Sequence, residues 1–274
     1  MQSKLKIAFI GGGNMAQALI GGLAGKLTAA ENIHVVDVMP DTLAMLSERF
    51  GVTTAASPSA VLASAEVIVL AVKPQQMRAV VANVKPYLNA QLVVSVAAGI
   101  RAADLSRWLG GHQAIVRTMP NTPALIGLGI TGVFAMAGVS ESQRESADAM
   151  LRAVGETVWV NDEAQLDAVT AISGSGPAYV FYFIEAMEQA ATELGLSAAQ
   201  GRQLAQATFA GAAALAKASN EPVAQLRERV TSKGGTTFAA LEVMQASGVK
   251  AALVKALHAA ADRGRTLGDE FGRD

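Results

Sequence analysis

The chain has 274 residues, of which 51% are hydrophobic and 16% are charged, and its formal net charge is −1. This length suits two modest domains or one large one, and the apolar content is enough to fill a sizeable core. Near-neutral charge argues against nucleic acid as a partner, and the lack of cysteine excludes disulfides, thiolate metal sites and a cysteine nucleophile.

Short β-branched runs alternate with amphipathic segments over roughly the first 160 residues. The predicted strands cover residues 5–10, 33–38, 67–72, 92–96 and 114–119, and the predicted helices cover 14–24, 41–49, 75–84 and 101–108. Strands fed by helices of this length are typical of βαβ units around a parallel sheet. Two more strands, 130–136 and 157–160, flank a helix at 140–153 and are expected to extend the sheet at its edge.

A glycine-rich turn directly follows the first predicted strand. Its sequence is G-x-G-x-x-A from Gly11 to Ala16, with Asn14 and Met15 in the variable positions. Gly11 permits a tight turn, Gly13 lets the backbone reach a pyrophosphate, and Ala16 lets the helix sit close to the strand. The free N–H groups of that helix favour phosphate. We therefore expect an α/β, Rossmann-like, doubly wound N-terminal domain that binds a nicotinamide dinucleotide.

Polar loops follow several other strands of the predicted sheet. Asp37 ends the second strand, where a carboxylate accepts hydrogen bonds from the adenosine ribose, although a solvated loop aspartate is the alternative. The segments 71–75, 97–99 and 117–124 follow later strands. Because ligands bind beyond the carboxyl ends of parallel strands, we expect these loops to meet the nicotinamide end of the cofactor.

From about residue 163 the β-branched runs stop, and alanine-rich helical segments take over. Between 205 and 218 alanines lie on every side of the predicted helix, which must then be buried, and a second copy of the chain would bury it. Two glycine-rich loops, 173–179 and 231–237, each open a helix in this half. A helix start of this kind binds anions such as carboxylates, although plain helix capping is the alternative.

Taken together, the motifs resemble those of the pyrroline-5-carboxylate reductase family over essentially the whole chain. They occur in the family's order at 11–16, 72–75, 119–124, 173–179 and 231–237. The resemblance implies reduction of 1-pyrroline-5-carboxylate to L-proline, the last step of proline biosynthesis, with NADPH or NADH and no metal. It also implies a dinucleotide domain at 1–162, an all-α dimerisation and substrate domain at 163–274, and a homo-oligomer whose unit is a dimer, up to a decameric ring of dimers. Some relatives carry Asn at the positions of Pro58 and Arg229, so those contacts are not carried over.

Residue roles follow from this resemblance and from the motifs together. Thr237 is the predicted catalytic residue near the ring nitrogen, and the backbone N–H of Thr236 is a carboxylate contact. The predicted substrate residues are Ser175, Ser232, Gly235, Thr236 and Thr237. The predicted cofactor residues are Gly11, Gly13, Asn14, Met15, Ala16, Asp37, Val72, Lys73, Pro74, Ala97, Gly99 and Asn121.

Two alternative functions are disfavoured by the sequence. A β-hydroxyacid dehydrogenase of this architecture uses a lysine on the helix entering its second domain, and residues 161–200 contain no Lys, Arg or His. A regulatory protein without catalysis would not need the polar loops that the second half keeps. None of the three histidines belongs to a cluster with metal-ligand spacing, and neither a secretory signal nor a membrane-length apolar stretch is found. We therefore expect a cytoplasmic enzyme without a membrane partner.

Overall fold

The computed structural model describes residues 5–273, so the outermost residues of the two predicted domains, 1–4 and 274, lie outside the described part. The chain divides into two compact units. One comprises the residues up to Ser175 together with those from Ala260 onward, and the other comprises Gly176–Ala259. The end of the last helix therefore belongs with the first unit. The functional boundary between residues 162 and 163 stays a prediction.

One sheet of eight strands forms the centre of the first unit within residues 5–273. The strands are β1 (Ile7–Ile10), β2 (Ile33–Val36), β3 (Thr53–Ala55), β4 (Val67–Leu70), β5 (Leu92–Ser95), β6 (Ile115–Met119), β7 (Gly129–Ala135) and β8 (Gly155–Trp159). Their order is β3-β2-β1-β4-β5-β6-β7-β8. The pairs are parallel except that β7 runs antiparallel to β6. The predicted parallel sheet and its extension at one edge are confirmed.

The ends of the seven predicted strands differ from the observed ends by at most two residues. Val38 and Val72, which we placed in strands, lie in loops that leave the sheet at its carboxyl edge. Strand β3 was not predicted. It is a three-residue edge strand with two threonines, so it offers neither an apolar run nor a clear alternation.

Helices cover both faces of the sheet, which confirms the doubly wound arrangement. The helices of this unit are α1 (Asn14–Leu23), α2 (Pro40–Phe50), α3 (Pro74–Val84), α4 (Ala102–Trp108), α5 (Glu141–Arg152) and α6 (Gln165–Val169). Helices α1, α2 and α5 pack around Phe9 and Val69, whereas α3 and α4 pack around Ile68 and Val93. Strands that are covered on both faces consist of nearly continuous apolar residues. This pattern is visible in the sequence, so the central strands could be predicted from it.

The second unit is all-helical, as predicted. Its helices are α7 (Gly176–Glu193), α8 (Ala198–Ala218), α9 (Val223–Arg229), α10 (Thr236–Ala246) and the first part of α11 (Val249–Phe271). Large apolar side chains remain exposed on them, including Phe181 at 63% and Tyr182 at 71%. Within residues 5–273, no helix is both long and apolar enough to cross a membrane.

Candidate active site

A cleft of about 890 Å³ opens at the carboxyl edge of the sheet. The chain order reverses between β1 and β4, and ligands of doubly wound folds bind at such a reversal. The glycine-rich turn after β1 and the loop after β4 form its walls. The residues that line it and bear on the argument are Gly11, Gly12, Gly13, Asn14, Asp37, Val38, Thr42, Pro58, Ala71, Val72, Lys73 and Gln75.

Two glycines of the turn lie closely against other parts of the protein. Gly11 has a φ of +102°, and a Cβ there would lie 2.6 Å from the carbonyl oxygen of Ala71. A Cβ at Gly12 would lie 2.8 Å from both Thr42 and Leu46 on α2. Gly12 occupies a variable position of the motif, and its contact with α2 is visible only in the fold.

Gly13 differs, because nothing in the described protein demands a glycine there. A Cβ at this position would have no described atom within 4 Å, and the residue is exposed in the cleft at the start of α1. Glycine has a purpose at such a site when a ligand must approach the backbone closely. Ala16 is fully buried, so α1 sits close to the sheet as predicted. These residues fit the pyrophosphate of a dinucleotide.

The carboxylate of Asp37 is held by two backbone groups at the end of β2. The N–H of Gly12 donates to Oδ2 at 2.7 Å, and the N–H of Met39 donates to Oδ1 at 2.9 Å. Each oxygen keeps a further lone pair for a ligand hydroxyl. The next residue, Val38, is 79% exposed, so the rim of the cleft beside Asp37 is open.

Other predicted cofactor residues lie at the same edge of the sheet. Lys73 precedes α3 and lines the cleft, and Pro74 takes the first helical position. Ala97 is buried, and Gly99 has a φ of +73° in the loop after β5. Asn14 lines the cleft, whereas Met15 packs against the core beneath the turn.

The side chain of Asn121 is already committed within the protein. Its Nδ2 donates to the carbonyl oxygen of Ser173 at 3.1 Å, and its Oδ1 accepts from the N–H of Ile130 at 3.0 Å. Only 7% of the residue is exposed. A cofactor contact at Asn121 would therefore use the backbone, and the side chain fastens the loop that carries Ser173.

Four of the predicted substrate residues come together in one loop of the second unit. Gly234 has a φ of +71°, and the N–H of Gly235 donates to the carbonyl oxygen of Ser232 at 3.0 Å. Helix α10 starts directly after this turn, and its N-cap, Gly235, has no side chain with which to cap the first N–H groups. Thr236 and Thr237 are its first residues, so the loop presents N–H groups and hydroxyls as an anion site requires.

Ser175, the fifth predicted substrate residue, lies in the first unit. It follows a π-helical segment, Thr170–Gly174, and its N–H donates to the carbonyl oxygen of Thr170 at 2.8 Å. Such segments within helices are frequent at functional sites.

In the second unit Arg229 binds Glu221 at 2.7 Å, and the second carboxylate oxygen of Glu221 is buried without a partner among residues 5–273.

One histidine, His34, lies partly buried on β2. Burial lowers the pKa of His34, and its Nδ1 lies 2.8 Å from the hydroxyl of Thr53. Within residues 5–273, no group of three or more His, Asp or Glu side chains could hold a metal ion.

Known proteins resemble this chain over nearly its whole length. The "Pyrroline-5-carboxylate reductase dimerisation" family matches residues 163–267, and "NADP oxidoreductase coenzyme F420-dependent" matches residues 6–99. The pyrroline-5-carboxylate reductase of Pseudomonas aeruginosa is 46% identical over 98% of both chains. A solved structure of the enzyme from Coxiella burnetii has a TM-score of 0.91 at 39% identity, covering 97% of this chain and 99% of the other. The Plasmodium falciparum pyrroline carboxylate reductase, solved with NADP bound, has a TM-score of 0.87 at 30% identity, covering 98% of this chain and 100% of the other. The chain belongs to the pyrroline-5-carboxylate reductase family.

Proposed function

We propose that this enzyme reduces 1-pyrroline-5-carboxylate to L-proline with NADPH or NADH, the last step of proline biosynthesis. The observation that carries the proposal is the open approach to Gly13 at the start of α1, in a chain that belongs to this family over its whole length. When bound, the reduced nicotinamide supplies the hydride for the C=N bond. The roles given below to single residues are part of the proposal.

The cofactor lies along the carboxyl edge of the sheet in this proposal. Gly11, Gly13, Asn14, Met15 and Ala16 form the turn and helix start that hold the pyrophosphate through backbone N–H groups. Asp37 accepts hydrogen bonds from the adenosine ribose. The nicotinamide half is bordered by the loops that carry Val72, Lys73, Pro74, Ala97, Gly99 and Asn121.

The substrate binds through its carboxylate at the start of α10. The backbone N–H of Thr236 and the hydroxyl of Ser232 face the anion, and Gly235 forms the turn that carries them. Ser175 is a further proposed substrate residue. Thr237 accepts a hydrogen bond from the ring nitrogen, which is protonated before the hydride arrives. A cyclic iminium needs orientation and a dry pocket rather than a strong acid, which agrees with the lack of Lys, Arg and His between residues 161 and 200.

The enzyme is a homo-oligomer that acts on a small molecule, and we propose a dimer as its unit, assembled further into a decameric ring of dimers. The exposed Phe181 and Tyr182 on α7 supply the kind of apolar surface that a second copy covers. The proposed functional boundary lies at residue 163, where the match to the dimerisation family begins. A cytoplasmic location completes the proposal.

The test is the oxidation of NADPH and NADH, followed at 340 nm, with synthetic 1-pyrroline-5-carboxylate and proline identified as product. Thr237→Ala is expected to lower kcat/KM roughly ten- to hundredfold, because a hydrogen bond to the ring nitrogen is lost. Thr236→Ala is the matched control, since its backbone N–H survives and its loss is expected to be milder. Normal kinetics in a stable Thr237→Ala variant would remove Thr237 from the mechanism.

A further inference from the structure

A distant side chain of the protein caps the start of α4. Helices α1, α3 and α4 all begin at the carboxyl edge, and the residues before them, Gly13, Lys73 and Arg101, supply no side-chain cap. The starts of α1 and α3 line the cleft. At α4, by contrast, the N–H of Ala102 donates at 2.7 Å to Oε1 of Glu163, which is 61 residues away in the sequence.

Glu163 is itself fixed by an ion pair. Its Oε1 also accepts from Nη1 of Arg117 at 2.9 Å, and the two side chains are only 21% and 7% exposed. Arg117 lies on β6, where it pairs with Ser95 at the end of β5. Because two donors hold the same oxygen of a largely buried side chain, this carboxylate has little freedom to move. The start of α4 is thereby tied to the sheet.

The last helix holds the same segment from another direction. Nη2 of Arg101 binds Oδ1 of Asp269 at 2.5 Å, and a Cβ at Gly268 would lie 3.1 Å from Nε of Arg101. A Cβ at Gly99 would lie 3.2 Å from both Leu267 and Phe271. Glycines at 99 and 268 therefore let the loop and the helix approach closely, and residues 97–101 are held between α4 and α11.

The segment 97–101 is the loop that borders the proposed nicotinamide site. The N–H of Val96 donates to the carbonyl oxygen of Leu70 at 3.1 Å, so this loop leaves the sheet directly beside the loop 71–73 that lines the cleft. The N–H of Ala97 donates to Oγ of the buried Ser95 at 3.3 Å. A shift at the start of α4 would therefore be transmitted to backbone at the edge of the cofactor cleft.

We propose that Glu163, assisted by Arg101, is a positioning residue that fixes residues 97–101 for the nicotinamide half of the cofactor. The inference rests on the proposed function in assigning that half of the cofactor to this loop. Glu163 touches neither substrate nor cofactor in this view. It acts by accepting the N–H of Ala102, and the charge on Arg117 makes that acceptor rigid.

Two double variants isolate the acceptor from the ion pair. Arg117→Met with Glu163→Gln removes both charges and keeps a side-chain oxygen for the N–H of Ala102. Arg117→Met with Glu163→Leu removes both charges and the oxygen, at nearly the same side-chain volume. Replacing both members of a buried pair by uncharged groups avoids an orphaned charge within the pair, and Arg101 and Arg265 still act on the neighbouring Asp167, so both variants are expected to fold.

Three measurements are compared between these variants and the wild type. The Kd for NADPH or NADH is measured by fluorescence, hydrogen exchange of residues 97–105 is followed in cofactor-free protein, and KM for 1-pyrroline-5-carboxylate is measured separately. We expect the leucine variant to bind the reduced cofactor roughly three- to tenfold more weakly than the glutamine variant, with faster exchange at 97–105. KM for the substrate should be similar in both. Equal Kd values and equal exchange in the two variants would overturn the proposal.

Two further variants test whether the effect is specific. One is a control for a general loss of stability, and the other tests the role of Arg101. Asp148→Asn disturbs a hydrogen-bonded carboxylate between α5 and β8, and it should leave the Kd for the reduced cofactor unchanged. Arg101→Gln breaks the ion pair with Asp269, and because the side chain of Arg101 is 41% exposed, the variant is expected to fold. It should weaken cofactor binding, as the leucine variant does. An unchanged Kd in Arg101→Gln would contradict the assisting role. If the wild type bound NADPH but did not reduce the substrate, the binding and exchange results would still decide this inference, and only the proposed function would fail.

Discussion

Asp37 gives a sharp prediction about which reduced cofactor the enzyme accepts. Its carboxylate is fixed by the N–H groups of Gly12 and Met39 at 2.7 and 2.9 Å, beside the rim of the cleft. The 2′-phosphate of NADPH carries nearly two negative charges and would be placed against this carboxylate, whereas the free ribose of NADH would donate hydrogen bonds to it. Residues 36–45 contain no Arg or Lys to offset the repulsion.

The size of the effect follows from the exposure of the site. Two unit charges about 4 Å apart repel by about 1 kcal/mol in water and about 4 kcal/mol near a protein surface. Asp37 is half-buried beside the open Val38, so we take about 1–2 kcal/mol, which is roughly five- to thirtyfold in cofactor preference. NADH is therefore expected to support turnover, with less preference for NADPH than in relatives that carry Arg at the position of Val38.

The assay compares kcat/KM for NADH and for NADPH across a short series of variants. Asp37→Ser combined with Val38→Arg should move the ratio toward NADPH, because serine still offers an acceptor to the N–H of Gly12 and arginine binds phosphate bidentately. Asp37→Asn is the matched control, which removes the charge at nearly constant shape. A wild type that already favours NADPH by about a hundredfold, well beyond what this repulsion allows, would refute the reasoning, as would an unchanged ratio in the double variant.

Asp148, Asp167 and the helices of the second unit each give a further prediction about stability. Oδ1 of Asp148 accepts from Thr157 at 2.6 Å and from Trp159 at 2.8 Å, so Asp148→Asn should lower the free energy of unfolding by about 1–3 kcal/mol in urea at pH 7. Burial opposes them, but these bonds and Arg152 hold the pKa of Asp148 below its usual range, so its contribution is present above the usual pKa of an aspartate and is lost as pH falls through the lowered pKa. Burial raises the pKa of Asp167 against the pull of nearby arginines, so its ionisation costs stability above the raised pKa. Thermal scans should therefore show Asp167→Asn to be at least as stable as the wild type at pH 7. As the pH is lowered, the variant should gain less stability than the wild type gains from protonation of Asp167. If the helices of the second unit are completed by a second copy, Tm should rise with protein concentration, and an active monomer in sedimentation would contradict this.

Much of the first unit could be predicted because its signals are local. Apolar runs predicted the central strands, and the predicted starts of α2 and α3, at residues 41 and 75, lie one residue after the prolines that begin these helices. The glycine motif predicted the turn at Gly11, yet it could not reveal that Gly12 packs closely against side chains on α2, some 30 residues further along the chain. The exposed edge strand β3 was missed for the opposite reason, since it buries too little to leave a pattern.

The tie between Glu163 and α4 shows where such prediction stops. Ser140 caps α5 through a capping box, which is a pattern of four neighbouring residues that is visible in the sequence. The residue before α4, Arg101, makes no side-chain cap. The free N–H groups of an uncapped helix start can be satisfied by water, by a ligand or by a distant side chain. The sequence presents the same uncapped start at α1 and at α4. Only the fold shows that α1 is left open toward the cleft, while Glu163 reaches across 61 residues to close α4.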